Sequence, residues 1–339
     1  MRPIFQPRFV NGPFADPALF VDVLFDRRAL LFDLGDITAL PPRKVLRTSH
    51  VFVTHTHMDH FVGFDRLLRI CLGRARPLKL FGPAGFIDRV EHRLASYTWN
   101  LVENYSVELA IDACEVAADG SYLRCAAFNS RERFLRRDGD AVVQHAGLLL
   151  DEPALQVRCA MLDHGIPCLG FALQEAMHVD VWPNRLAQLG LTPGPWLRDA
   201  KRAIIAGAAD DTLVTACCPQ GSKMRERQIS LGELRRAALQ SVPGQKIAYV
   251  TDVACHASNL RRIKQLAVNA DRLFIEATFL ECDADEARRK NHLTARQAGS
   301  IARDCGAHEV VPFHFSPRYA DCEGALVNEV QSAFRGVAA

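Results

Sequence analysis

The sequence predicts a layered sheet-and-helix fold, and three observations carry that reading. Short apolar, β-branched stretches recur along the chain, segments of helical spacing alternate with them, and polar, histidine-bearing residues follow several of the strands at once. In order, the strand-like stretches are 30–32, 51–54, 78–81, 157–161, 247–251, 273–275 and 310–313. Each is a short apolar run of the kind found in a half-buried or fully buried sheet. The helical segments are 64–72, 85–97, 231–240, 259–269, 284–290, 295–305 and 323–334, with apolar residues three and four apart. A site at the strand ends is what such an alternation favours. From 175 to 245 the rhythm breaks. Strand character is weak there, Pro183, Pro193, Pro195, Pro219 and Pro243 are scattered through it, and arginine-rich patches lie at 198–202 and 223–227. A stretch of this length is read as an arm inserted between two core strands of one domain spanning 1–339.

Composition excludes several classes. With 339 residues, 49% hydrophobic and 24% charged, the chain can bury a large core, which an intrinsically disordered chain cannot. No apolar run reaches the roughly 18 residues of a membrane span, and the start MRPIFQPRFV lacks the apolar centre of a secretory signal. A soluble cytoplasmic protein is expected. The formal charge of +2 requires no polyanionic partner, although 34 arginines against seven lysines would suit phosphate. Eleven cysteines, none spaced C-x-x-C, read as free thiols and not a disulfide framework. The adjacent Cys217 and Cys218 read as small apolar residues, and no cysteine is assigned a metal.

The sharpest signal is Val-Thr-His-Thr-His-Met-Asp-His at 53–60. A strand runs into four potential ligands, and alternate residues of extended chain point the same way, so His55 and His57 can meet one ion. The turn into the next helix re-aims Asp59 and His60 toward a second. Four such residues in six positions would be costly to leave unpaired. Imidazole with carboxylate suits zinc, and manganese or iron would also fit. His50, His92, His145, His178, His256 and His308 have no such setting and read as surface or capping histidines.

The H-x-H-x-D-H pattern of 55–60 resembles the signature of the metallo-β-lactamase superfamily, and the likeness runs from roughly residue 30 to 320. The resemblance implies an αββα sandwich, two β-sheets face to face with helices outside. It implies further ligands: His164 in Met-Leu-Asp-His-Gly-Ile-Pro at 161–167, Asp252 in Ala-Tyr-Val-Thr-Asp at 248–252, and His314 at the start of 314–319. Asp33, in Leu-Leu-Phe-Asp-Leu-Gly-Asp at 30–36, matches an early structural aspartate. One zinc would then take His55, His57 and His164, the other Asp59, His60 and His314, with Asp252 between. Two cations at such a centre acidify a water and clamp the oxygens of a displacement, which suits hydrolysis of a phosphodiester, ester or amide.

Three motifs are similar to the ribonuclease Z branch, endonucleases that trim the 3′ trailer of precursor tRNA. They are His-Phe-Ser-Pro-Arg-Tyr at 314–319, Ile-Glu-Ala-Thr-Phe at 275–279 and His-Leu-Thr-Ala-Arg-Gln-Ala at 292–298. The resemblance implies that Glu276 orients His292, that His292 protonates the leaving 3′ oxygen, and that Asp59 takes the proton of the water. It also implies a homodimer, and an arm that grips tRNA and contains a Gly-Pro motif, here Gly-Leu-Thr-Pro-Gly-Pro-Trp at 190–196. The chain departs from the family where a glycine-rich first turn, a G-E-x-T-Q segment and the first histidine of H-E-A-T would stand. The expected function is a zinc-dependent endoribonuclease acting on precursor tRNA. The alternatives are a hydrolase of small phosphodiesters or other esters, and a metal-stabilised RNA-binding protein without turnover.

Overall fold

The computed structural model describes residues 4–24, 26–74, 77–143, 147–220 and 223–337, so His145 lies outside the described residues. In chain order the first strands are β1 (Phe5–Phe9), β2 (Leu19–Val23), β3 (Arg28–Phe32), β4 (Thr48–Phe52), β5 (Leu78–Pro83), β6 (Ala110–Val116), β7 (Tyr122–Asn129), β8 (Arg136–Asp138) and β9 (Val142–Val143). Then follow β10 (Leu148–Asp151), β11 (Leu155–Asp163) and β12 (Pro167–Glu175). The strands β13 (His178–Val181), β14 (Leu213–Gln220), β15 (Lys223–Ser230) and β16 (Leu239–Val242) come next, and β17 (Lys246–Val250), β18 (Arg272–Glu276) and β19 (Glu309–Phe313) complete the set.

Two sheets form the centre. One runs β1-β2-β3-β4-β5-β6-β7-β8, with β9 on β7, and the other runs β10-β11-β12-β17-β18-β19. The links β3-β4-β5-β6 and β17-β18-β19 are parallel. Parallel strands are covered on both faces, which is why they read as unbroken apolar runs. Aromatic rings fill the space between the sheets. Phe32 of β3 lies 5.8 Å from Phe171 of β12 and 6.0 Å from Tyr249 of β17, and Phe9 of β1 lies 4.8 Å from Phe313 of β19. On the outer side of the first sheet, Leu67 and Val90 of helices Phe64–Cys71 and Phe86–Ala95 pack with Val51 and Leu80. On the other side, Ile263, Ala298 and Val330 of helices Ala257–Ala267, Ala295–Asp304 and Glu323–Arg335 pack with Val250 and Leu273. The architecture is the αββα sandwich. Among the described residues no helix is long and apolar enough to cross a membrane.

The chain divides into two compact units, and the sandwich is the larger. The smaller consists chiefly of 150–156 and 174–245. It has its own core, in which Val179, Leu186, Trp196, Ile204, Ile229 and Leu234 meet. Strand character is not weak here: β13 pairs with β16 and β14 with β15. The pattern was concealed because residues 225–228 of β15 are all exposed polar or charged groups, so no apolar alternation marks the ribbon. The helix expected over 231–240 ends at Ala237, since Leu239 to Val242 pair with β13. Buried Glu175 accepts from the Gln245 amide at 3.1 Å and lies 2.9 Å from Nδ1 of His178. The Gly-Pro segment is packed down: Thr192 donates its amide to Cys217 at 2.9 Å, and the buried Trp196 indole donates to Thr192 at 3.0 Å. Of the three tryptophans, Trp182 and Trp196 belong to this unit and Trp99 to the sandwich.

The cysteine reading needs one correction. Cys114 and Cys125 stand directly opposite each other in β6 and β7 and form a disulfide. The sequence separation of 11 concealed a pair that the hairpin register places side by side.

Candidate metal centre

The centre is built on the ends of strands. After β4 the chain stays extended through His57, which stands at the N-terminus of the short helix Met58–Phe61, so His55 and His57 leave extended backbone while Asp59 and His60 leave a helical turn. His164 follows β11, Asp252 lies two residues beyond the end of β17, Glu276 ends β18, and His314 follows β19. Asp33, Asp252 and His314 have φ of 58°, 50° and 59°. The left-handed region is uncommon for residues with a Cβ, and its use three times here turns each side chain sharply off its strand.

The carboxylate of Asp252 divides the donors into two groups. Its Oδ2 lies 3.6 Å from Nε2 of His55 and 3.4 Å from Nε2 of His164. Its Oδ1 lies 3.4 Å from Nε2 of His60 and 3.6 Å from Nε2 of His314. Asp59 Oδ2 completes the second group, 3.4 Å from His60 and 3.3 Å from His314. His57, more exposed, joins the first, its ring 4.4 Å from that of His55.

The outer ring nitrogens are occupied, which aims Nε2 inward. Nδ1 of His55 meets the Thr54 hydroxyl at 3.0 Å, that of His60 meets Asp33 at 2.9 Å, and that of His164 meets the Asn291 carbonyl at 2.9 Å. Asp33 is itself held by the Thr54 amide at 2.7 Å and the Tyr249 hydroxyl at 2.9 Å. Such outer partners orient metal-binding histidines. Thr251 donates to Asp252 Oδ1 at 2.7 Å. Motif reasoning did not find Thr54, Tyr249, Thr251, Thr278 or Asn291. Thr54, Tyr249, Thr251 and Thr278 all lay inside quoted motifs, but a motif does not show which partner a hydroxyl will meet.

These donors fit divalent cations. Nε2 of His55 and of His60 are buried without a hydrogen-bond partner, a costly state for a polar atom. Separations of 3.3–3.6 Å between a ring nitrogen and a carboxylate oxygen match the edge of a tetrahedron whose ligand bonds are about 2.0–2.2 Å. Burial pushes the His55 imidazole down to about 2, helped by the charge of His60, so it is a neutral ligand. Burial alone would raise the Asp252 carboxyl, but His314 and His60 hold it well below its usual range, ionised.

Glu276 and His292 form a separate pair. Glu276 is fully buried, accepts from the Val253 amide at 2.7 Å and the Thr278 hydroxyl at 2.6 Å, and lies 2.7 Å from Nδ1 of His292. Burial lowers the His292 imidazole, but the charge and hydrogen bond of Glu276 outweigh it and raise the group to about 9. His292, Asp59 and His314 open onto a cleft of about 320 Å³ whose other walls include Phe14, Phe315 and Lys290. Every site residue expected from the sequence therefore lies in one place.

The chain is 33% identical over 319 residues to the ribonuclease Z of Deinococcus radiodurans, covering 93% of this chain and 91% of that one. The chain belongs to the ribonuclease Z family. It is also 27% identical over 328 residues to the ribonuclease Z of Exiguobacterium sibiricum, covering 93% and 88%. No protein-family model matches the sequence. Among solved structures, the short form of human tRNase Z shares the fold with a TM-score of 0.52 at 18% identity, 93% of each chain covered. A metallo-β-lactamase-fold protein of Bacillus subtilis does so with a TM-score of 0.52 at 14% identity, over 97% of this chain and 94% of the other. A ribonuclease Z chain of this fold implies a dinuclear metal centre, and the two donor groups on either side of Asp252 are suited to one.

Proposed function

We propose that the protein is a zinc-dependent endoribonuclease that removes the 3′ trailer of precursor tRNA, working as a homodimer in the cytoplasm. One observation carries the reading: the two oxygens of Asp252 face two separate sets of imidazoles, beside a histidine tied to a buried glutamate. His55, His57 and His164 would hold one zinc and Asp59, His60 and His314 the other, with Asp252 between them. When bound, such a pair supplies Lewis acidity and lowers the pKa of water toward neutrality. The residues divide the remaining work. Asp59 accepts a proton from the attacking water, and the bond from phosphorus to the 3′ oxygen breaks. His292 gives that oxygen its proton, and Glu276 keeps the ring oriented through Nδ1. The products are a tRNA with a 3′-hydroxyl and a trailer with a 5′-phosphate. Phe14, Phe315 and Lys290 offer the cleft an apolar wall and a cation for the nucleotides that flank the cut. The segment 175–245 would serve as an RNA-binding arm of the one domain.

The test is cleavage of a 3′-extended precursor tRNA by zinc- or manganese-loaded protein, with bis-p-nitrophenyl phosphate in parallel. A single cut after the discriminator base, lost in Asp59→Ala with the fold kept, is the expected result. Turnover of the aryl ester with every precursor tRNA left intact would retire the RNA substrate and leave a small-phosphodiester hydrolase.

A further inference from the structure

The smaller unit carries an exposed aromatic–arginine cleft that the catalytic centre does not use. Strand β13 leads into Trp182, whose amide donates to the Ala238 carbonyl at 2.9 Å, so its backbone is anchored at the end of helix Leu231–Ala237. Trp182 is 41% exposed, unlike Trp196 of the same unit, which is buried with its indole N–H satisfied. The guanidinium carbon of Arg185 lies 3.8 Å from the centre of the Trp182 ring, directly on its face. With Arg235, Arg236, Leu239 and Gln240 these residues line a cleft of about 300 Å³. Arg235 is committed: it pairs with Asp210 and donates to the Ala208 carbonyl at 3.1 Å. Among the described residues neither Arg185 nor Arg236 pairs with a carboxylate.

Packing alone explains part of this arrangement, since one guanidinium covers one face of an exposed indole. It does not explain two further arginines in the same cleft, only one of them neutralised. Surplus positive charge beside a flat, half-exposed aromatic is the chemistry that holds a nucleotide. Bases that are free of a duplex stack on tryptophan rings and on arginine planes, and guanidinium groups fork to phosphate. The basic patches at 198–202 and 225–227 offer charge without such a platform.

We propose that this cleft binds an unpaired nucleotide of RNA, its base stacked on the Trp182–Arg185 platform and its phosphate held by Arg236. The inference rests on the reading of the protein as a ribonuclease for its choice of RNA, but it names a site apart from the metal ligands. Structured RNA with a looped-out base would be gripped there by stacking, and fully paired RNA by charge alone.

Equilibrium binding of the full-length, metal-loaded protein tests this, with a 3′-extended precursor tRNA and a short single-stranded RNA as probes. Trp182→Ala should weaken both by about tenfold, and Trp182→Phe should restore most of the loss. Arg236→Ala should weaken binding and reduce the slope of affinity against salt by about one. Turnover of bis-p-nitrophenyl phosphate should stay at the starting level in all three, which reports an intact fold. Unchanged RNA affinity in Trp182→Ala, or equal competition by heparin in Trp182→Ala and the parent, overturns the stacking site even if precursor tRNA is still cut. If the parent leaves precursor tRNA uncut yet binds the single strand in a Trp182-dependent way, the tRNA reading fails and the stacking site stands.

Discussion

His292, the proposed proton donor, differs from the histidines around Asp252 in its contacts. Its Nδ1 is engaged by Glu276, and it opens onto the cleft beside Asp59 and His314. A proton donor matters only where the leaving group needs a proton. His292→Ala should therefore lower RNA cleavage by about 10²–10⁴-fold, the usual worth of general acid catalysis, and lower turnover of bis-p-nitrophenyl phosphate by less than about tenfold, because nitrophenolate departs as an anion. Equal losses on the two substrates would show that His292 acts through the metal centre. The candidate ligands were legible because four of them lie within 55–60, and the distant ones sit in short motifs. The partners that aim them were not. Tyr249 reads as one more core residue of β17, and nothing in the local sequence announces that its hydroxyl reaches Asp33, 216 residues away. Nor do the aspartates and the histidine of positive φ carry a local mark, since the twist comes from what surrounds them.

Between strands, close backbone contact decides how the motif is presented. Gly35 follows the left-handed Asp33 by two residues, and a Cβ there would lie 2.6 Å from the Asp59 carbonyl oxygen and 2.7 Å from the Pro17 carbonyl oxygen. The turn after β3 is thus pressed against the helical turn that carries Asp59 and His60, and the Leu34 amide donates to the His60 carbonyl at 2.9 Å. Gly35→Ala must push that turn outward, at about 1–3 kcal/mol of stability. Because the displaced atoms belong to two of the proposed ligands, bound metal should fall from two equivalents toward one, as metal analysis of the purified variant would register. Retention of both ions at full activity would mean the turn yields elsewhere. Burial alone did not make an element readable, since β2 and β12 are almost wholly buried and neither was among the expected runs. Strands β3, β5, β11, β18 and β19 each contain one of the expected runs, and β4 and β17 overlap the runs 51–54 and 247–251, which extend past them by two residues and by one. The β14–β15 ribbon was not readable, and neither was the partnership of Cys114 with Cys125, which depends on the register of a hairpin and not on either strand alone.

At the scale of the molecule, the smaller unit has a core of its own, and the sandwich core draws its residues from elsewhere in the chain. Replacing 176–243 by a short linker should leave aryl-ester turnover within a few-fold of the parent. Cleavage of precursor tRNA should fall by on the order of a hundredfold, because phosphate contacts are lost with the segment. Equal losses on both substrates would make that unit a structural part of the catalytic body. The αββα layering followed from motif resemblance more than from periodicity, since alternation of strands and helices does not say how many sheets there are. The placement of the tryptophans has a practical side. Two of the three indoles lie in the smaller unit, one of them in its core and one on its surface, while the sandwich has only Trp99. Intrinsic emission followed through a thermal or urea ramp will weight the smaller unit, and a spectroscopist could record its melting as that of the whole enzyme. Far-ultraviolet dichroism is weighted toward the sandwich, which holds most of the backbone.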